Sequence, residues 1–358
     1  MRSAHDLFIW RYLIYALGFL SLAYGLMPCI GLTYDSYLHL ETAEKLSKLG
    51  FYQSGFEAKP PLYSLILKLF DNQLWMVMAF NLICWIGSVR LIDKIFQDLF
   101  HESINLTLIG SSWIAFSTPL HLVNNFAWAE SLFLMLVLLF LLELNKASDR
   151  NFVLLSFITL AMVSTRYLGL LFILGGAMTL LVSKNLRWKD SFWICSGTFF
   201  FAIWQGFIRQ MRGDFKSMSF FTGLNGFDNY MDLGKSLSHW LVPVDWDVFN
   251  YVVPLAAISF FIFAFFTFNP VILKTLAATS LWHLVMILTK GDLIYADIER
   301  YLFFIHPFLI AFMAPILLDP RRWLRYPFIA LSIAVLVYSL IRTVKNDLFW
   351  HHSLCQVG

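Results

Sequence analysis

The sequence predicts an all-α polytopic membrane protein with about ten to eleven transmembrane helical segments in a single transmembrane domain, residues 1–358. Two observations carry this. Hydrophobic residues make up 59% of the chain and charged residues only 14%, against about 25% charged in ordinary soluble domains. Too little polar surface is left to face water on every side. Several stretches also approach or reach the roughly 20 apolar residues that a spanning helix needs, among them 8–28, 132–144 and 251–268.

Taken in order, the first span covers about 8–28. It is too long for a cleaved signal sequence, and no small-x-small site follows it. A first outer loop runs over 30–60, a short apolar piece over 61–70, and spans follow at 74–92, 104–119 and 128–144. The apolar stretch 151–183 is interrupted at Thr165-Arg166 and reads as a broken pair. After a span at 191–208 comes a long polar outer loop, 211–248, then spans at 251–268, 272–289, 301–318 and 327–342. No repeat, low-complexity segment or appended water-soluble domain is visible.

Orientation follows from Lys and Arg in short connections. With the N-terminus inside, the inner segments carry Arg2 and Arg11, Arg90 and Lys94, Lys146 and Arg150, Lys184, Arg187 and Lys189, Lys274, and Arg321, Arg322 and Arg325. Both long loops then fall on the outer side. The net charge of +3 comes with no concentrated basic face, which argues against a nucleic-acid partner. Cys29, Cys84, Cys195 and Cys355 show neither metal-type spacing nor a disulfide framework. Cys29 and Cys355 both have room to lie outside the membrane, but no bridge between them is expected.

In the first outer loop, residues 36–49 have the pattern of an interfacial amphipathic helix. Glu41, Glu44, Lys45 and Lys48 share one face, Leu38, Thr42, Leu46 and Leu49 the other, and Gly50 stops it. Asp35 and His39 project away from the charged face. Asp35 is either a helix N-cap or a functional carboxylate at the bilayer lip. Lys59 precedes Pro60-Pro61, whose fixed backbone holds it at a rigid corner; a snorkelling lysine is the plainer reading. Three further ionisable groups adjoin spans, where charge is costly and marks candidate sites. Glu130 opens the span at 128–144 and also suits a helix N-terminus. Arg166 breaks the stretch 151–183, where a structural ion pair is the alternative. Arg300 starts the span at 301–318, with a bridge to Asp297 or Glu299 as the alternative. Tyr230, Trp240 and Trp246 read as interface anchors. The outer edge thus gathers two carboxylates with up to three cations, a set suited to gripping a lipid phosphate and removing a proton from an incoming hydroxyl.

Tyr34-Asp35-Ser36-Tyr37, the amphipathic helix, Gly50-Phe51-Tyr52 and Lys59-Pro60-Pro61-Leu62-Tyr63 resemble the first outer loop of the glycosyltransferase C superfamily. Its bacterial members akin to protein O-mannosyltransferases and lipid A aminoarabinose transferases are the most similar. In the same order, Ala129-Glu130-Ser131-Leu132-Phe133, Thr165-Arg166-Tyr167-Leu168-Gly169 and Glu299-Arg300-Tyr301-Leu302 with Pro307 resemble that family's later motifs. The likeness covers most of 8–318. It implies an active site at the outer surface and a polyprenyl- or dolichyl-phosphate sugar as donor. Asp35 would be the catalytic base, and Glu130 the second acid, positioning the acceptor or a cation. Lys59, Arg166 and Arg300 would hold the donor phosphate. His39, His121, Asn125 and Tyr301 are weaker candidates for sugar or acceptor contact. Many relatives carry an acidic pair where this chain has Asp35-Ser36, which weakens the case for metal. A divalent cation on Asp35, His39 and Glu130, with His121, stays open as a cofactor.

Many relatives use a large outer C-terminal domain to choose the acceptor; none is read here, so a glycan, a lipid or a protein all remain. The expected location is the cytoplasmic membrane of a prokaryote, with the endoplasmic reticulum as the alternative. A lipid-linked sugar transporter and a non-catalytic subunit that binds lipid phosphate are the rival functions.

Overall fold

A computed structural model describes residues 4–27, 29–49, 60–100, 104–146, 149–183, 188–212, 226–241, 247–289, 295–313, 317 and 322–353. The described chain is nearly all helical. Six stretches are long and apolar enough to cross a bilayer: Ile9–Leu26, Leu74–Phe100, Leu106–Asn125, Asp247–Thr267, Val271–Thr289 and Arg325–Ser353. Shorter apolar helices cover Phe152–Thr165, Gly169–Val182 and Phe192–Ile203. An all-α membrane protein is therefore what the residues build. Backbone groups have no water to bond inside hydrocarbon, so the helix satisfies them within each segment.

Helix α1 (Ala4–Leu26) is followed by α2 (Tyr34–Leu49) and α3 (Pro61–Leu69). Next come α4 (Leu74–Phe100), α5 (Ile104–Ala115), α6 (Thr118–Asn125) and α7 (Glu130–Asn145). The stretch 151–183 is a broken pair as expected, α8 (Phe152–Thr165) and α9 (Gly169–Val182). Then follow α10 (Trp188–Arg212), α11 (Gly226–Leu241), α12 (Asp247–Thr267) and α13 (Val271–Thr289). The chain closes with α14 (Tyr295–Leu302), a 3-10 turn at His306–Phe308, α15 (Leu309–Phe312) and α16 (Arg322–Ser353).

Several sequence expectations need correction. The segment 211–248 is no plain loop, because α11 lies inside it and buries Leu233 and Trp240. Trp240 donates to Glu299 (3.0 Å) and does not anchor an interface; Tyr230 donates to the Tyr251 carbonyl (2.5 Å), and Trp246 lies outside the described residues. The span begun at 104 breaks at Phe116-Ser117 ahead of Pro119 and resumes as α6. The span expected at 301–318 is likewise broken, by the turn at His306-Pro307. In α2 the exposed i,i+4 pairs Glu41–Lys45 and Glu44–Lys48 form the expected charged face. The buried face is Ser36, His39, Thr42, Ala43 and Leu46, whereas Leu49 is exposed.

Polar contacts fix the helix directions. Near its start, α1 pairs Arg11 with Asp93 of α4, and Tyr15 donates to Ser111 (2.9 Å). Near its end, Ser21 donates to Asp347 (2.6 Å), and the Tyr24 ring stacks on His351 at 4.0 Å. So α1 and α16 run the same way, and α4 runs against them. Glu130 meets Arg166 at one end of the α7–α8 pair, and Glu143 bonds the Asn151 backbone at the other. One end of the bundle therefore carries Arg11, Asp93 and Glu143; the opposite end carries Asp347, Glu130 and Arg166.

Without a hydrophobic drive between helices in lipid, close backbone approach matters. A Cβ on Gly197 of α10 would lie 2.2 Å from Leu160 N of α8, so only glycine lets these helices touch. Leucine there forces them apart, a loss of about 1–3 kcal/mol by the usual cost of overpacking. Gly206 of the same helix faces open space, nothing lying within 4 Å of a built Cβ. Thermal unfolding in detergent should show a lowered midpoint for Gly197→Leu and an unchanged one for Gly206→Leu. Equal midpoints would contradict the α8–α10 contact.

Candidate functional site

The segment after α1 is tied down before it reaches α2. Gly31 pairs with the strand-like backbone before α7, its N–H donating to the Asn125 carbonyl (2.8 Å) while Ala127 N–H donates to the Gly31 carbonyl (2.9 Å). Asn81 of α4 supplies the carbonyls this leaves, donating to those of Asn124 (2.9 Å) and Phe126 (2.8 Å). At the start of α2, Thr33 N–H donates to the Ser36 hydroxyl (3.1 Å) and Ser36 N–H to the Thr33 hydroxyl (3.5 Å). This reciprocal pattern is that of a capping box. It satisfies the helix start without Asp35, whose carboxylate is left to bond elsewhere.

It bonds Arg300. The guanidinium of Arg300 donates to Asp35 Oδ2 (2.6 Å) and, through Nε, to Glu130 Oε1. Arg166 reaches the same Glu130 oxygen. Four charged groups from α2, α7, the α8–α9 break and α14 thus form one cluster. Of the two alternative partners for Arg300, Glu299 accepts from Arg342 of α16 (3.0 Å), and the side chain of Asp297 lies outside those described. The Arg300 guanidinium also lies over the Trp128 ring at 4.2 Å, and Arg166 over the Tyr301 ring at 5.7 Å. Both are cation–π contacts. Trp128 is held by its own donation to Thr33 (2.7 Å) and by stacking on Phe126 at 4.6 Å.

The break that delivers Arg166 depends on Gly169. Arg166 has extended backbone at the end of α8, and Gly169 N–H closes the turn onto its carbonyl (2.9 Å). A Cβ at Gly169 would sit 2.9 Å from Val163 N. The Thr-Arg-x-x-Gly spacing therefore has a steric cause.

Exposure divides the cluster. The Glu130 side chain is 1% exposed and that of Asp35 is 23%. Glu130 Oε2 is buried with no hydrogen-bond partner among the described residues, and so is the hydroxyl of Tyr63. Burial opposes the charge on Arg300, but Glu130 and Asp35 outweigh it and hold the guanidinium protonated beyond its ordinary range. Glu130 is thus a buried anchor for two arginines, and Asp35 is the carboxylate at the rim. His39 turns to α3, where Nδ1 meets the Ser64 hydroxyl (3.0 Å) and the ring stands edge-on to Tyr63 at 5.1 Å.

Other candidates do not join. His121 is buried elsewhere, with Nδ1 on Asp347 (2.8 Å) and Nε2 on the Ala115 carbonyl (2.9 Å). Asn125 donates to the same aspartate (3.2 Å). Both belong to a link between α6 and α16, not to sugar or acceptor contact. No group of three His, Cys, Asp or Glu side chains able to hold a metal occurs among the described residues. His39 and His121 therefore do not complete a cation site with Asp35 and Glu130. Lys59 lies outside the described residues. Nothing local in the sequence marks Trp128 and Thr33 beyond the tryptophan's place two residues before Glu130.

Removing one partner from a buried ion cluster costs about 3–5 kcal/mol, whereas a rim pair contributes about 1 kcal/mol or less. Glu130→Ala should accordingly lower the unfolding midpoint in detergent far more than Asp35→Asn. The reverse order would contradict the division between anchor and rim.

No family model matches the chain, and no match is found among curated proteins. The chemistry of the cluster itself has to carry any functional conclusion.

Proposed function

We propose that this protein is a glycosyltransferase that takes a sugar from a polyprenyl-phosphate donor and passes it to an acceptor at the outer face of a prokaryotic cytoplasmic membrane. The supporting observation is the meeting of Asp35 with Arg300 and Glu130, residues far apart in sequence, at the end of the bundle opposite the Arg11–Asp93 pair. A dolichyl donor facing the lumen of the endoplasmic reticulum uses the same chemistry and is the eukaryotic form of the reading.

In this mechanism Arg300 and Arg166 receive the donor phosphate, since guanidinium forks match phosphate oxygens in pairs. Glu130 positions both arginines from below. Asp35, freed from Arg300 by the arriving anion, takes the proton from an acceptor hydroxyl. The new bond forms between that oxygen and the anomeric carbon while the carbon–phosphate oxygen bond breaks. The configuration inverts, and the polyprenyl phosphate leaves as an anion held by the arginines. The His39–Ser64 pair and Tyr301 carry no assigned step.

A second reading has its own support. Two arginines and two carboxylates balance within the cluster, as in a subunit that keeps the fold and binds lipid phosphate without catalysis. A sugar transporter is less favoured, because these four charges gather at one end.

Membranes carrying the full chain, supplied with radiolabelled polyprenyl-phosphate hexose, separate these readings. Transfer of label out of the lipid-phosphate fraction is expected, and Asp35→Asn should reduce it by about 10²–10⁴-fold, the usual worth of a general base. An Asp35→Asn variant as active as the wild type sinks the base assignment. Lipid retained by the wild type without any transfer favours the binding subunit.

A further inference from the structure

The guanidinium of Arg300 is held in two unlike ways. Its N–H groups donate to carboxylates, Nε to Glu130 and Nη1 to Asp35 (2.6 Å). Its central carbon also lies over the Trp128 ring, 4.2 Å from the centroid. A contact through a ring face consumes none of the in-plane N–H donors with which a guanidinium grips phosphate. Both side chains are buried, so little water screens the attraction between them.

The indole is itself fixed on several sides. Its Nε1–H donates to the Thr33 hydroxyl (2.7 Å), and Phe126 stacks on it at 4.6 Å and 15°. Phe126 in turn stands edge-on to Trp350 of α16 at 6.2 Å, and Asn81 of α4 donates to its carbonyl (2.8 Å). The Trp128 backbone N–H closes onto that same carbonyl (2.8 Å). The ring is thus placed by the fold, independently of the arginine beside it.

From this geometry we infer that Trp128 is a positioning residue, which orients Arg300 for a polyprenyl phosphate and keeps it oriented when Asp35 lets go. The inference rests on the reading that Arg300 receives a lipid phosphate, which the transferase and the binding subunit share. When the anion arrives, the bond from Arg300 to Asp35 is exchanged for one to phosphate. Of the contacts described above, the Nε bond to Glu130 and the indole face remain. One hydrogen bond is an axis about which a planar group swivels; a ring face beside it stops that rotation. The fork therefore meets the phosphate already oriented, and less side-chain freedom is lost on binding. Thr33 adds a second link. Its hydroxyl accepts from the indole and from Ser36 N–H (3.5 Å), at the start of the helix that carries Asp35. One side chain thus touches both partners of the exchange, the ring on Arg300 and the N–H on the segment leading to Asp35.

The test uses the full chain in phosphatidylcholine nanodiscs, with radiolabelled undecaprenyl phosphate as the probe. Retention of this lipid by the wild type is expected. Trp128→Leu removes the ring face and should weaken retention by about 10- to 30-fold, the size of a desolvated cation–π contact. Trp128→Phe keeps a face without the N–H and should recover most of that loss. Arg300→Gln removes the cation, and adding Trp128→Leu to it should weaken retention no further. A tryptophan that only supports the fold weakens retention equally in both backgrounds. Equal losses, or a Trp128→Leu chain that binds as tightly as the wild type, overturn the inference. Where Arg300→Gln fails to fold or retains no measurable lipid, Trp128→Phe decides: retention no better than that of Trp128→Leu overturns it. A wild type that retains no lipid phosphate overturns the phosphate reading and this inference with it. Retention that is insensitive to Trp128→Leu overturns this inference alone.

Discussion

Everything at the candidate site follows from keeping the Glu130 carboxylate charged where there is almost no water. An ionised group removed from solvent is tolerated only with a partner and hydrogen bonds. Glu130 obtains two partners, and each requires a special piece of backbone. Arg166 comes from a gap between two apolar helices that Gly169 keeps tight. Arg300 comes from a short helix, α14, that ends before the turn at His306. Helix α7 begins at Glu130 itself, so the carboxylate also sits at the positive end of a helix. Three helix ends thus serve one buried charge.

Other charges in the bundle are matched differently. Asp93 is bound by Arg11, Tyr15 and Gln97, Asp347 by Ser21, His121 and Asn125, and Glu299 by Arg342 and Trp240. Each of these ties helices together through groups used up in the tie. The Glu130 cluster is unlike them in two respects. One carboxylate oxygen is left over in the interior, and a second carboxylate, Asp35, extends the cluster to the rim. Aromatic faces also lie against Arg166 and Arg300.

Some of this was legible in the sequence because the signals were local. Composition gave the membrane class, the i,i+4 charges gave α2, and one arginine in an apolar run gave the α8–α9 break. What failed depended on distant partners. His121 and Asn125 looked like site residues beside Glu130, yet their partner is Asp347, 226 and 222 positions away. Helix α11 reads as loop in the sequence because Asp228, Asp232 and Lys235 make it polar. Its buried side rests on scattered residues, Leu233 and Trp240, which meet α12 and Glu299 only in the fold. Asp35 was read partly as a cap; the reciprocal bonds of Thr33 and Ser36 take that role because both hydroxyls lie at the right offset.

The geometry also constrains how such a site would turn over. The donors of Arg300 that face Asp35 cannot grip a phosphate at the same moment, so an arriving anion and the Asp35 carboxylate compete for one guanidinium. Under the transferase proposal, a phosphate that displaced Asp35 from Arg300 would leave this rim carboxylate to meet the incoming hydroxyl. Glu130 does not take part in the exchange: buried beneath both arginines, it keeps them in place whichever anion occupies the rim. Under the transferase proposal, donor binding would therefore itself switch on the base, and an empty site would hold its charges mutually satisfied. A purely structural ion cluster has no use for that asymmetry, in which one carboxylate is locked in the interior and the other reaches the surface beside an exchangeable arginine arm.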